Sequence, residues 1–344
     1  MIMIQIVKCD TTVVKALTAI NESDLLTIFV VDKKNVLVGT LTDGDVRRYL
    51  INGGQLYDPV VNAVNRSFSK IEKKDSGLLG ALKAFKAKGI KLVPVVNSKG
   101  EIDGIYDLVN YKSHLPIDAV LMAGGKGERL RPLTENKPKP LLPVGGKCII
   151  DHNVDRLISY GVKHISVTVN YLKEQIEEHY LKPRNGIKID TCCEPKYLGT
   201  IGSIKFVKKF YNDTVLVMNS DLFTNVDYED FYLHFIENNA DMSVAAIPYN
   251  VSIPYGVLDL DGRDVTGIFE KPKYNYYANA GIYMIKKSAL DEIPDDTVFN
   301  ATDLIEKLIL ENKKVIRYPL NGTWIDIGSL LEYQKANELA KHLG

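Results

Sequence analysis

Apolar and polar positions follow two different habits along this chain, and the change falls near residue 116. Before it, short apolar runs come in pairs around a polar turn. Placing VVDKKNVLVGTLTDGDVRRYL, from Val30, over VVNSKGEIDGIYDLVNYKSHL, from Val95, needs no gap and sets an offset of 65 residues. Seven positions then coincide, among them Ala16 with Ala81, Val30 with Val95 and Gly39 with Gly104. Each copy reads as a helical stretch, an apolar strand, a polar turn (Asp32 to Asn35, Asn97 to Gly100), a second short strand and a closing helix. MIMIQIVK reads as a first strand. One copy cannot bury both faces of so small a sheet, so the two are expected to pack together, the first over about 1–57 and the second over about 58–116.

After Pro116 strands and helices alternate: strand IDAVLMA, helix from Ile149, strand HISVTVN, helix from Lys173, strand GIKID, helix from Gly202, strand TVLVMNSD. This pattern predicts an α/β sheet over 117–344. Further on, YGVLDLDGRDVTGIFEKP reads as a hairpin with Asp261 and Gly262 in a type I′ turn, followed by a strand over Ala280 to Ile285 and a last helix over Ser329 to His342.

The whole chain has 344 residues, 45% hydrophobic and 25% charged. That supports folded structure throughout and about two domains. Lys plus Arg (43) balance Asp plus Glu (43), which removes the broad field expected of a nucleic-acid or anionic-membrane binder. The start lacks a signal-peptide pattern, and no run approaches the roughly 20 apolar residues of a membrane span. Cys9, Cys148, Cys192 and Cys193 show no CxxC spacing and suggest no disulfide framework or zinc site. A cytoplasmic location is the expectation. His114, His152, His164, His179, His234 and His342 read as lone polar positions.

Charge is concentrated in one place. GGKGERLRPLTENKPKPLLPVGGK holds Lys126, Arg129, Arg131, Lys137, Lys139 and Lys147 against Glu128 and Glu135. Gly124, Gly125 and Gly127 let backbone N–H groups approach an anion closely. The run ends in neither GKS nor GKT and lacks GxGxxG spacing, so it is neither of the two common phosphate fingerprints. Pro132, Pro138, Pro140 and Pro143 forbid a regular helix and predict a fixed extended path for the cations.

With that sequel, residues 117–344 resemble the sugar-1-phosphate nucleotidyltransferases, of the mannose-1-phosphate or glucosamine-1-phosphate guanylyltransferase kind. The resemblance implies a Rossmann-like, GT-A-like mixed sheet and Mg²⁺. It implies Asp221 in NSDLF and Asp326 in TWIDIGS as metal ligands, Arg129, Lys139 and Lys271 as catalytic cations, and Gly256, Glu270 and Asn279 on the sugar. The nucleotide falls to Ala123, Gly124, Gly125, Gly127, Glu194, Gly199 and Thr200. Glu194 in EPKYLGTIGS favours GTP, because a carboxylate accepts from both N1–H and the N2 amine of guanine but would face carbonyl oxygens on uracil. UTP- or dTTP-using relatives remain the alternative. CBS domains ahead of such a catalytic domain resemble enzymes of bacterial surface-glycan synthesis.

Residues 1–116 resemble a tandem pair of CBS domains, strongest at GTLTDGD. The resemblance implies an adenine nucleotide held by Thr42 and Asp45, and a symmetric homo-oligomer. The plain reading of the same pair is a cap on the helix beginning near Val46. In the second copy Asp107 and Asn110 replace them, which disfavours a second phosphate site. Two classes stay open: an active nucleotidyltransferase with a regulatory or structural CBS pair, and an inactive nucleotide sensor.

Overall fold

The computed structural model describes residues 5–72 and 77–341. Contacts divide the chain into two units, Met1–His114 and Leu115–Gly344. Met1 to Ile4, part of the expected first strand, lie outside the described residues, as does His342 at the expected end of the last helix.

In the first unit, β1 (Ile6–Lys8) runs parallel to β2 (Thr27–Val31), and β2 pairs antiparallel with β3 (Leu37–Thr42). Helix α1 (Val13–Glu22) buries Val13, Ala16 and Ile20, spaced on one helical face, against Ile28, Val30 and Leu41. Helix α2 (Asp43–Ile51) follows β3. The second copy repeats the order with β4 (Ile71–Glu72), α3 (Leu78–Ala87), β5 (Leu92–Val96) and β6 (Ile102–Asp107). The agreement extends to a β-bulge. Val30 pairs Gly39 while Val31 skips to Leu37, and 65 residues later Val95 pairs Gly104 while Val96 skips to Ile102. Val36 bridges Glu101 and the Leu37 N–H donates to the Gly100 carbonyl, so the two copies join.

The expected closing helix is present only in the first copy. There Thr42 and Asp45 form a reciprocal capping box that starts α2. In the second copy Asp107 accepts from the N–H groups of Val109 and Asn110 and from the Asn110 amide, while the Leu108 N–H returns to the Lys91 carbonyl. The chain is held to the sheet at the point where a helix would begin.

The second unit is a mixed seven-stranded sheet. Its strands are β7 (Asp118–Ala123), β10 (His164–Val169), β11 (Ile189–Cys193), β12 (Thr214–Asn219), β14 (Met242–Ser252), β17 (Lys273–Lys286) and β18 (Val315–Pro319), in the order β11-β10-β7-β12-β17-β14-β18. The small ribbons β8 (Pro143–Val144) with β9 (Lys147–Cys148), β13 (Leu222–Thr224) with β19 (Trp324–Asp326), and β15 (Val257–Asp261) with β16 (Asp264–Phe269) stand beside it. β7, β10, β11 and β12 are mutually parallel, and β17 alone is antiparallel to both its neighbours. Near-continuous burial of β7 and β12 is what a sheet covered on both faces requires. Helices α4 (Ile149–Ser159), α5 (Lys173–His179), α6 (Tyr228–Glu237) and α7 (Ala301–Leu310) pack around it, and α8 (Leu330–Ala340) sits on the ribbon strands β8 and β19.

Four expectations change here. The segment from Gly202 is a single 3₁₀ stretch to Phe206, not an α-helix, because the Ile201 and Gly202 N–H groups are committed to the Phe299 carbonyl. The strand expected at GIKID starts at Ile189, since Arg184 and Ile187 close a turn on each other first. The hairpin turn is centred on Gly262 and Arg263, with Asp261 paired to Asp264. Only Gly262 has positive φ (60°), the sign pattern of type II′ rather than I′. Finally, the strand expected over Ala280 to Ile285 extends back to Lys273. Among the described residues no helix is long and apolar enough to cross a membrane.

Candidate functional site

From β7 the chain moves to β10 and β11 on one side and to β12 on the other. Their carboxyl ends therefore meet at a switch in strand order, where open α/β sheets form a crevice. A cavity of about 660 Å³ lies there. Ala123, Gly124, Gly125, Gly127, Arg129 and Lys139 line it from the loop after β7, Glu194 from the end of β11, and Asp221 from the turn after β12. Gly199 and Thr200 complete it.

The loop is shaped by what its residues exclude. Gly127 has φ of 62°, and its carbonyl accepts from the Thr134 hydroxyl at 2.8 Å. The expected extended path is interrupted by two short 3₁₀ turns, Glu128–Leu130 and Lys139–Leu141, the second preceded by Pro138 and containing Pro140. Of the six loop cations only Lys126, Arg129 and Lys139 reach the cavity. Lys147 instead pairs with Asp155.

Glu194 is buried, accepts the Leu198 N–H at 3.2 Å, and has its carboxyl pushed above the usual range by burial. Gly199, at φ of 79°, leaves no room for a side chain against the Phe299 carbonyl, and the Thr200 hydroxyl accepts from the Ala301 N–H at the start of α7.

Asp221 and Asp326 come together through the ribbon of β13 and β19, in which Leu222 is the register partner of Asp326. Lys139, itself buried, pairs with Asp221 and lies 3.9 Å from Asp326. Burial and then the charge of Asp221 raise the Asp326 carboxyl, against opposing pulls from Lys139 and Arg129. The Arg129 guanidinium packs over Gly328, where a Cβ would come within 2.8 Å of it. Asp221 Oδ1 is buried without a hydrogen-bond partner. Two neighbouring carboxylates with an unsatisfied oxygen suit a hard divalent cation.

Asp326 lies outside the cavity lining, and so do the other expected residues. Glu270 faces Gly256, whose Cβ would meet Glu270 Oε2 at 3.0 Å. Lys271 follows in a left-handed conformation, φ 46°. The Asn279 carboxamide is engaged within its own strand, donating to the Tyr283 hydroxyl and accepting from the Gly281 N–H, both at 2.9 Å. Asn170, Ser203 and Asn219 also line the cavity and were not singled out from the sequence. Asn170 and Asn219 sit at strand carboxyl ends, the one signal that could have found them.

A second polar cluster joins α4 to α5. Cys148, Asp151 and His179 place donor atoms within 4.8 Å of one another, so His179 is not the lone residue expected. Asp151 is taken up by His179, the Tyr180 hydroxyl and Arg184 at 3.0 Å each, and Arg184 also holds Asp155. Burial would raise the Asp151 carboxyl, but these partners, His179 first, hold it below the ordinary range.

In the first unit a cavity of about 440 Å³ is lined by Thr42, with Thr40, Asn65 and Lys91 among its other residues. Asp45 is not in that lining. Its carboxylate accepts from the Thr42 hydroxyl at 2.6 Å and pairs with Arg48 at 2.5 Å.

The profile of the nucleotidyl transferase family matches residues 118–342, and that of the CBS domain matches residues 3–52. A Sulfolobus acidocaldarius protein provisionally named mannose-1-phosphate guanyltransferase is 32% identical over 225 residues, 64% of this chain and 62% of its own length. The bifunctional protein GlmU of Methanococcus maripaludis is 33% identical over 232 residues, 64% of this chain and 54% of its own. The chain thus spans less than two thirds of these relatives. A crystal structure of HddC from Yersinia pseudotuberculosis complexed with GMP-PN aligns with TM-score 0.50 and 26% identity, over 64% of this chain and 98% of that one.

Proposed function

The chain belongs to the nucleotidyl transferase family, and on that premise we propose that it joins a nucleoside triphosphate, GTP by preference, to a hexose or hexosamine 1-phosphate, releasing pyrophosphate. The observation that carries this reading is the convergence of Lys139, Asp221 and Asp326 beside the glycine loop at the switch in strand order.

A sugar phosphate is already anionic at neutral pH, so its attack on the α-phosphorus needs no general base. It needs alignment and relief of repulsion between two highly negative substrates. The glycine-loop N–H groups cradle the triphosphate. Lys139 holds it from the side of Asp221, and Arg129 meets the charge that builds on the leaving pyrophosphate. Asp221 and Asp326 are the residues to hold Mg²⁺, which when bound supplies charge neutralisation across the phosphates. Lys271 orients the sugar phosphate, with Gly256, Glu270 and Asn279 on the sugar side. These four lie outside the lining of the cavity; Gly256, Glu270 and Lys271 flank the hairpin of β15 and β16, and Asn279 belongs to β17.

Glu194 supports guanine, since its buried carboxylate lines the cavity and accepts N–H donors. In the first unit, Thr42 at the cavity wall supports an adenine nucleotide, and the repeated bulge supports reading 58–116 as a second CBS copy. A matrix of five nucleoside triphosphates against sugar 1-phosphates, read by pyrophosphate release, tests the whole assignment. Turnover with GTP and mannose or glucosamine 1-phosphate is expected, a clear preference for UTP overturns the guanine reading, and no release with any pair overturns the activity.

A further inference from the structure

One nitrogen, Nζ of Lys139, serves two carboxylates that arrive from separate parts of the chain. It pairs with Asp221 and stands 3.9 Å from Asp326. We propose that Lys139 is the resident counter-ion of this carboxylate pair: its ammonium holds Asp221 and Asp326 together before substrates arrive, and a divalent cation takes its place and frees it for the phosphates. The inference rests on the reading of Asp221 and Asp326 as the metal ligands.

Strand pairing obliges the two carboxylates to be neighbours. Leu222 and Asp326 are register partners, so Asp221 and Asp326 meet whether or not an ion is present. Two partly buried like charges at that range repel unless a cation lies between them. Lys139 supplies one, but incompletely, for Asp221 Oδ1 stays buried without a partner. A divalent ion with its waters satisfies more oxygens than a single ammonium does.

The lysine is built to exchange at its head only. Its backbone lies in a 3₁₀ turn between Pro138 and Pro140. Its stem passes Gly127, where an added Cβ would sit 3.0 Å from Lys139 Cβ and 3.1 Å from the Thr134 methyl. Rotation about the last side-chain bonds is therefore the freedom that remains, and the cavity that the glycine loop lines is the open space beside it.

Charge sets the order of events. Lys139 and Arg129 balance Asp221 and Asp326, so a dication entering alone leaves the site positive and must also displace the ammonium. A triphosphate more than offsets both excess charges. Metal and nucleotide consequently favour each other's binding, and the coupling is reciprocal.

The test measures free Mn²⁺ by electron paramagnetic resonance with the full-length protein and no nucleotide. Lys139→Met is expected to bind Mn²⁺ at least about tenfold more tightly than the wild type, and Asp221→Asn is expected to abolish that binding. Equal or weaker binding by Lys139→Met, with Asp221→Asn still abolishing it, overturns the counter-ion role and leaves the metal ligands standing. Binding indifferent to Asp221→Asn overturns both. A measurement on wild-type protein guards against a variant that does not fold: saturating Mn²⁺ should raise reductive methylation of Lys139 by at least about threefold relative to the exposed Lys99. Unchanged labelling overturns the proposal.

Discussion

A Cβ placed on Gly124 would lie 2.1 Å from Oε1 of Glu194, so the first glycine of the phosphate loop and the buried carboxylate share one wall of the cavity with no space for a methyl group between them. The carboxylate is the movable partner, tethered by a single Leu198 N–H. Gly124→Ala should displace it, at a stability cost of about 1–3 kcal/mol. Nucleotide affinity by calorimetry should fall at least about tenfold, and adding Glu194→Gln to that variant should change little more, because both remove the same contact.

Glu194 also sets a pH dependence. Its carboxyl is raised by burial, so between its ordinary value of 4.5 and the raised one the folded protein holds a proton that the unfolded chain has lost. Stability therefore falls as pH rises through that window. Guanine recognition requires the ionised form and should strengthen over the same interval. In Glu194→Gln both slopes should flatten, as read by thermal midpoints and by kcat/KM for GTP against pH.

Asp151 carries the opposite sign. Held below its ordinary 3.8 despite burial, it contributes stability that is present above that value and lost as pH falls through the depressed one. Arg184→Met removes a partner of both Asp151 and Asp155. It should cost about 2–4 kcal/mol at pH 7 in denaturant titrations, with the difference from wild type shrinking as pH drops below 3.8.

Asp221→Ala should lower pyrophosphate release by roughly a thousandfold, measured well below the variant's thermal midpoint because the change also unpairs the buried Lys139. Undiminished turnover would remove Asp221 from the metal assignment.

In the first unit, Thr42→Ala breaks the capping box of α2 and should cost about 1 kcal/mol. Pyrophosphate release measured with no adenine nucleotide should be unchanged. Adenine-nucleotide binding by calorimetry separates the two roles of this residue: a cap alone predicts the same affinity in the variant once stability is allowed for, and a ligand contact predicts a loss.

How much of this could be read beforehand depended on where the information lay. The glycine loop was legible because turn geometry demands particular residue types in one contiguous stretch, and Asp221 because it ends a strand at the carboxyl edge of the sheet; Lys139 was read through the family resemblance. The repeat was legible too, and Gly39 and Gly104 hold equivalent register positions beside the bulge in the two copies. What escaped depended on distant partners. The Asp151, His179 and Arg184 cluster unites residues of two helices and a following turn that no periodicity connects. The stretch from Gly202 has a helical pattern, but its N–H groups were claimed by Phe299, nearly a hundred residues on. The turn falls one residue later than expected, at Gly262 and Arg263, because Asp261 is taken up in pairing with Asp264.

The ribbon joining β13 to β19 also carries a consequence for how the protein comes into being. Leu222 must wait for Asp326, more than a hundred residues later, before the pair can form. The phosphate loop waits with it, because Leu130, Leu142 and Val144 pack on Ile325, Ile327 and Ala336 from the same late segment. Loop closure over that span is slow compared with local turns. Grip on the nucleotide and the acidic pair should therefore arrive together, when the last segment docks.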